Sequence, residues 1–160
     1  MTKLLLAAAP AAIAPAMPVA AKAPTTAQTG AEMRMDHISI VTLGLAKAKG
    51  APIVLLPGLA SPRAVWDGVA ANLAKTHRVY LVQVNGFGGD EPGANLKPGL
   101  LDGIVADLSA ALSRGHVRPV RFVGHSMGGL VGMMFAKAHP EQVERLMIVD
   151  ALPDFAVLMA

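Results

Sequence analysis

The 160 residues allow one domain with a tail, at the usual 100–200 residues per domain. Hydrophobic residues make up 53% and charged residues only 16%, which supports a packed core and excludes wholesale disorder. The net charge of +3 belongs mostly to the amino terminus: without Lys3 and Lys22, 12 Lys and Arg face 11 Asp and Glu. The remaining basic residues are scattered, so the clustered patch that a nucleic-acid partner requires is missing. The chain has no cysteine, which excludes disulfides, a thiolate nucleophile and Cys-ligated metal sites.

Residues 1–23 have the layout of an export signal. Lys3 supplies a positive start, Leu4 to Ala14 an apolar stretch, and Val19-Ala20-Ala21 and Ala21-Lys22-Ala23 small-x-small cleavage sites. Pro10, Pro15 and Pro18 interrupt the stretch, which falls short of the roughly 20 apolar residues of a membrane span, so no stable membrane anchor is expected. Periplasmic or secreted localisation is the corresponding expectation. Residues 24–34 read as a linker, and the folded part is expected over 35–160.

From there strand and helix patterns alternate. His37 to Leu43 alternates as a half-buried or edge strand. Ile53 to Leu56 is a continuous apolar run, as in a strand buried on both faces. Ser61-Pro62 suggests a helix cap and first-turn proline before Val65, Trp66, Val69 and Leu73 at helical spacing. Arg78 to Val84 is the next strand. Leu101, Ile104, Val105, Leu108 and Leu112 line one face of a helix that Gly115 can close. Val120 to Val123 is a third buried strand, Met127 to His139 a helix stopped by Pro140, and Leu146 to Val149 a fourth strand, with which the sheet of these 160 residues would end on an uncovered apolar edge. The alternation predicts an α/β fold, a mostly parallel sheet with helices on both faces.

The segment with chemical content is Gly124-His125-Ser126-Met127-Gly128, a G-x-S-x-G motif. A buried strand runs into it and an apolar helix leaves it. That context places a serine on a sharp strained turn with its hydroxyl exposed. Gly124 and Gly128 remove side chains that would collide across such a turn. Gly86-Phe87-Gly88-Gly89 begins like a dinucleotide fingerprint, but Glu91 stands where its third glycine belongs. No phosphate loop and no metal-ligand spacing are present, and no cofactor is expected.

From Met35 onward the chain resembles the α/β-hydrolase family. The resemblance rests on Leu55-Leu56-Pro57-Gly58-Leu59, Asn85-Gly86-Phe87-Gly88-Gly89, the Gly-His-Ser-Met-Gly-Gly elbow, and Ala138-His139-Pro140-Glu141 leading to Asp150. Pro57 and Asn85 depart from the family's common His and Asp. The resemblance implies Ser126 as nucleophile and an oxyanion hole from the backbone amides of Leu59 and Met127, with His125 as an elbow support. It also makes Asp150, after the last strand, a candidate triad acid.

A serine nucleophile needs a base, usually a histidine oriented by a carboxylate. In this family the order is Ser, then Asp or Glu, then His. Only His139 follows Ser126, and a helix of a dozen residues at 1.5 Å per residue puts it about 20 Å away. His37, His77 and His116 lie at element edges. No histidine in the sequence serves as the base. The expectation is therefore the amino-terminal part of an α/β-hydrolase domain, with cap, last strands and catalytic histidine beyond Ala160. It would act as a serine hydrolase on a small ester, thioester or amide. The alternative is a catalytically incompetent α/β-hydrolase-like domain that binds a small molecule or partner.

Overall fold

A computed structural model describes residues 32–117 and 119–151. The expected export signal over residues 1–23 lies outside the described residues. Six strands, β1 (Met33–Arg34), β2 (Ile38–Leu43), β3 (Ile53–Leu56), β4 (Val79–Val84), β5 (Val120–His125) and β6 (Val143–Val149), form one sheet. Their order is β1-β2-β4-β3-β5-β6. The pairs β1–β2 and β2–β4 are antiparallel, and β4–β3, β3–β5 and β5–β6 are parallel.

Among the described residues three α-helices cover it: α1 (Asp67–Leu73), α2 (Leu100–Arg114) and α3 (Met127–Ala138). The period-2 alternation of β3 explains how both faces are filled. Val54 and Leu56 join Ile104, Leu108, Val131 and Phe135 of α2 and α3 in one core. Ile53 and Leu55 join Ala70 and Leu73 of α1 on the other face. All four β3 residues are buried, as the apolar run requires. Phe122 of β5 and Phe135 of α3 are both fully buried with ring centroids 5.8 Å apart, each worth about 1.5–3 kcal/mol of burial.

Several local expectations change. β2 is an interior strand, because the two-residue β1 takes the edge, and even Ser39 is only 1% exposed. Ser61 does not cap a helix: its hydroxyl donates to Leu59 O, and Pro62 precedes a 3-10 turn, Arg63–Trp66, that leads into α1. Gly115 ends α2 in ordinary right-handed conformation, and the left-handed residue is His116, at φ 45°. β6 starts three residues before the apolar run, and its exposed Met147 (60%) and Ile148 (40%) form the uncovered apolar edge expected of the last strand. Among the described residues it pairs with β5 alone and stands last in the sheet. Among the described residues no helix is long and apolar enough to cross a membrane.

Candidate active site

Open parallel sheets place their sites beyond the carboxyl ends of the strands, and the motif sits there. β5 ends at His125, and α3 begins at Met127, so Ser126 alone makes the reversal. Its backbone is held at φ 52°, ψ −120°, a conformation that L-residues rarely adopt and that costs about 1–3 kcal/mol. The turn is fixed from both sides. Ser126 N–H donates to Val149 O of β6 at 2.9 Å, while Ser126 O accepts from Gly129 N–H at 2.8 Å.

The two motif glycines are required by space. A Cβ on Gly124 would lie 2.1 Å from Gly128 O, and one on Gly128 would lie 2.4 Å from Leu56 O. The β3–β5 register, which sets Leu56 opposite Gly124, brings the loop after β3 against the elbow. Gly58 is the contact: a Cβ there would stand 3.1 Å from Ser126 Cβ and 3.0 Å from His125 Nδ1.

Leu59, next in the chain, is 66% exposed. Neither its amide nor that of Met127, the first residue of α3, donates a hydrogen bond to another described residue. An unpaired helix-leading amide carries the positive end of the helix dipole, here beside the serine.

Asp150 follows β6, which runs beside β5, and is held at a left-handed φ of 48°. Its side chain is exposed, and no described histidine pairs with it. Three of the histidines are engaged elsewhere, while His125 packs against Gly58 beside the serine. His37 lies beside Asp107, His77 beside Thr76, and His139 packs on the Phe135 ring near Ser109 and Glu141. The structure thus brings together Ser126, Met127 and the Gly58–Leu59 loop, and it does not bring any of these three histidines to the serine. No group of three or more potential metal ligands occurs among the described residues.

Asn85, at the end of β4, shows why amide replaces carboxylate. Its Nδ2 donates to Met35 O at 3.0 Å and Asp36 O at 3.1 Å. Asn95 completes the knot by donating to His37 O and Asn85 O. A carboxylate would face two carbonyl oxygens with nothing to donate. Asn85→Asp is expected to destabilise by about 1–3 kcal/mol, the cost of leaving such groups unpaired, read as a lower urea midpoint with unchanged slope.

A second polar knot escaped the sequence. Gln83, 3% exposed on β4, accepts from Arg63 N–H at 2.7 Å and donates to Val84 O and Phe87 O. The Arg63 guanidinium donates to Ser39 Oγ at 2.9 Å and pairs with Glu32. The one local signal was a glutamine inside the apolar strand VYLVQV. Burial opposes ionisation of Glu32, but hydrogen bonds from Arg63 and Ser39 and the charges of Arg63 and Arg34 outweigh it. They hold its carboxyl below the ordinary value of 4.5. Its contribution to stability is therefore complete above pH 4.5 and is lost as the pH falls through the folded-state value. Glu32→Gln is expected to flatten that acid limb, measured by urea unfolding at successive pH values.

A family model described as alpha/beta hydrolase fold matches residues 51–159. The pimeloyl-(acyl-carrier protein) methyl ester esterase of Aeromonas hydrophila is 35% identical over 107 residues, which are 67% of this chain and 40% of that protein. The N-formylmaleamate deformylase of Pseudomonas putida is 31% identical over 102 residues, 64% of this chain and 38% of that protein. An alpha/beta hydrolase from Novosphingobium aromaticivorans shares the fold with a TM-score of 0.69 at 21% identity, over 81% of this chain and 47% of its own. The chain spans about 40% or less of the length of the curated relatives it matches.

Proposed function

The chain belongs to the alpha/beta hydrolase fold family, and from that premise we propose that it carries the nucleophile and oxyanion hole of a serine hydrolase acting on a small ester, thioester or amide. The observation that carries the reading is the strained Ser126, at φ 52° between β5 and α3, because backbone strain of this kind concentrates at functional residues.

Ser126 Oγ attacks the substrate carbonyl carbon, and the carbonyl oxygen becomes an oxyanion. The Leu59 and Met127 amides stabilise that charge, each such donor being worth about 10²–10³ in kcat. Collapse of the adduct expels the alcohol, thiol or amine and leaves an ester on Ser126. Water then releases the acid and restores the hydroxyl. The serine proton goes to a base, which the family's order of Ser, acid and then His makes a histidine that follows the acid. Asp150 is the acid this chain can offer to orient it. The hydrolase names of the relatives support acyl transfer to water but do not choose the acyl group.

The test is covalent. A fluorophosphonate probe is expected to label the full-length protein at Ser126 and to spare Ser126→Ala. Labelling of both to the same extent overturns the assignment. Absence of labelling in either leaves the catalytically incompetent binding domain as the reading.

A further inference from the structure

We propose that Gln83 and Arg63 are positioning residues for the oxyanion hole: they fix the far end of the loop whose near end abuts Ser126. The inference rests on the assignment of the Leu59 amide as an oxyanion donor.

The loop from Pro57 to Pro62 has two attachments. At its start, β3 pairs with β5 through Leu56 and Gly124, and Gly58 lies against Ser126 and His125. Between Gly58 and Arg63 the internal ties are slight: Ser61 N–H donates to Gly58 O at 3.2 Å, and Ser61 Oγ to Leu59 O at 3.3 Å. Ala60, beside Leu59, is held at a left-handed φ of 55°. A segment so poorly bonded takes its shape from its ends.

The far end is held by the buried polar knot. Arg63 N–H donates to Gln83 Oε1 at 2.7 Å, and the Gln83 amide nitrogen reaches Phe87 O at 2.8 Å. One side chain on β4 therefore ties the loop after β3 to the loop after β4. Pro62 also lies against Gly88, where a Cβ would come within 2.6 Å of Pro62 Cβ. The Arg63 side chain then reaches across to Ser39 and Glu32.

A buried glutamine in an otherwise apolar strand is a cost unless its hydrogen bonds are all used. Here three of its bonds go to backbone groups at the catalytic end of the sheet. A leucine would fill the space and satisfy the strand pattern. What it could not do is hold Arg63 N–H, and with it the Leu59 amide, at the distance an oxyanion requires. Misplacement by about 1 Å can cost on the order of 10²-fold in rate.

The experiment uses the full-length protein, with p-nitrophenyl acetate as substrate and Ser126→Ala as the reference. Gln83→Leu is expected to lower kcat by about 10- to 100-fold with KM within about twofold, because the donor acts on the transition state. Arg63→Met keeps the Arg63 amide and tests the guanidinium. It is expected to lower kcat about threefold to tenfold, and Arg63→Lys, which keeps a charge for Glu32, to recover part of that loss. Hydrogen exchange at the Ser61 and Arg63 amides is expected to quicken in Gln83→Leu while α2 and α3 stay protected. Unchanged kcat in Gln83→Leu and Arg63→Met, with Ser126 still essential, overturns the positioning role alone. Turnover that survives Ser126→Ala overturns the serine reading, and the positioning role falls with it. If Gln83→Leu does not fold, Gln83→Met, which likewise removes the acceptor for the Arg63 amide, takes its place, and an unchanged kcat there and in Arg63→Met overturns the positioning role.

Discussion

Replacement of Ser126 by alanine is expected to lower turnover of the full-length protein by roughly 10⁶-fold, the size of loss found when a serine nucleophile is removed. The loss should fall on kcat, leaving substrate affinity nearly unchanged. Stability should move the other way in a second variant. Ser126 sits at φ 52°, where a side chain is strained and glycine is not. Ser126→Gly relieves strain of about 1–3 kcal/mol and gives back about 0.5–1 kcal/mol through a more flexible unfolded chain. A net gain of about 1 kcal/mol is expected in urea unfolding, together with loss of fluorophosphonate labelling. Ser126→Ala keeps the Cβ and should show no such gain. A Ser126→Gly protein no more stable than Ser126→Ala would mean that the elbow stores no strain.

The largest structural effect is expected at Gly124. Its substitution by alanine places a Cβ 2.1 Å from Gly128 O and 2.6 Å from Gly129 N, both backbone atoms of the first turn of α3. No rotamer change relieves a clash with backbone, so β5 and α3 must separate. The expected cost is about 3 kcal/mol or more, at the top of the range for overpacking. It should be read as a fall in urea midpoint with loss of Ser126 labelling, since the helix that carries the Met127 amide moves. Gly68, on α1 with nothing within 4 Å of a Cβ, is the internal control. Gly68→Ala should stabilise by about 0.5–1 kcal/mol through helix propensity alone.

The elbow was legible because its determinants are local. Gly124, Ser126 and Gly128 are adjacent in sequence, and the strand before them and the helix after them have distinct periods. β3 was equally legible, since four consecutive apolar residues buried on both faces leave no other reading. β6 shows the limit. Leu146 to Val149 has the composition of a central strand, and its exposure among the described residues follows from what stands beside it, which composition does not report. The Gln83–Arg63 knot was invisible for a related reason. Its partners lie 20 to 31 positions apart, and no local pattern links a glutamine on one strand to an arginine after another. Asn85 looked like a departure from a pattern, and its sense became clear only with the Met35 and Asp36 carbonyls in view.

The central place of β3 has a consequence for how the chain is made. Its neighbours are β4 and β5, both later in the sequence, and Ile53 pairs with Arg121 about 70 residues on. At about 5–20 residues per second of synthesis, Ile53 to Leu56 waits roughly 3–14 s for its second partner. For most of that interval β3 has β4 on one side only, and its other edge stands open to chaperones and to other chains. The serine turn cannot close sooner, because the Leu56 carbonyl that borders it is locked only when β5 arrives.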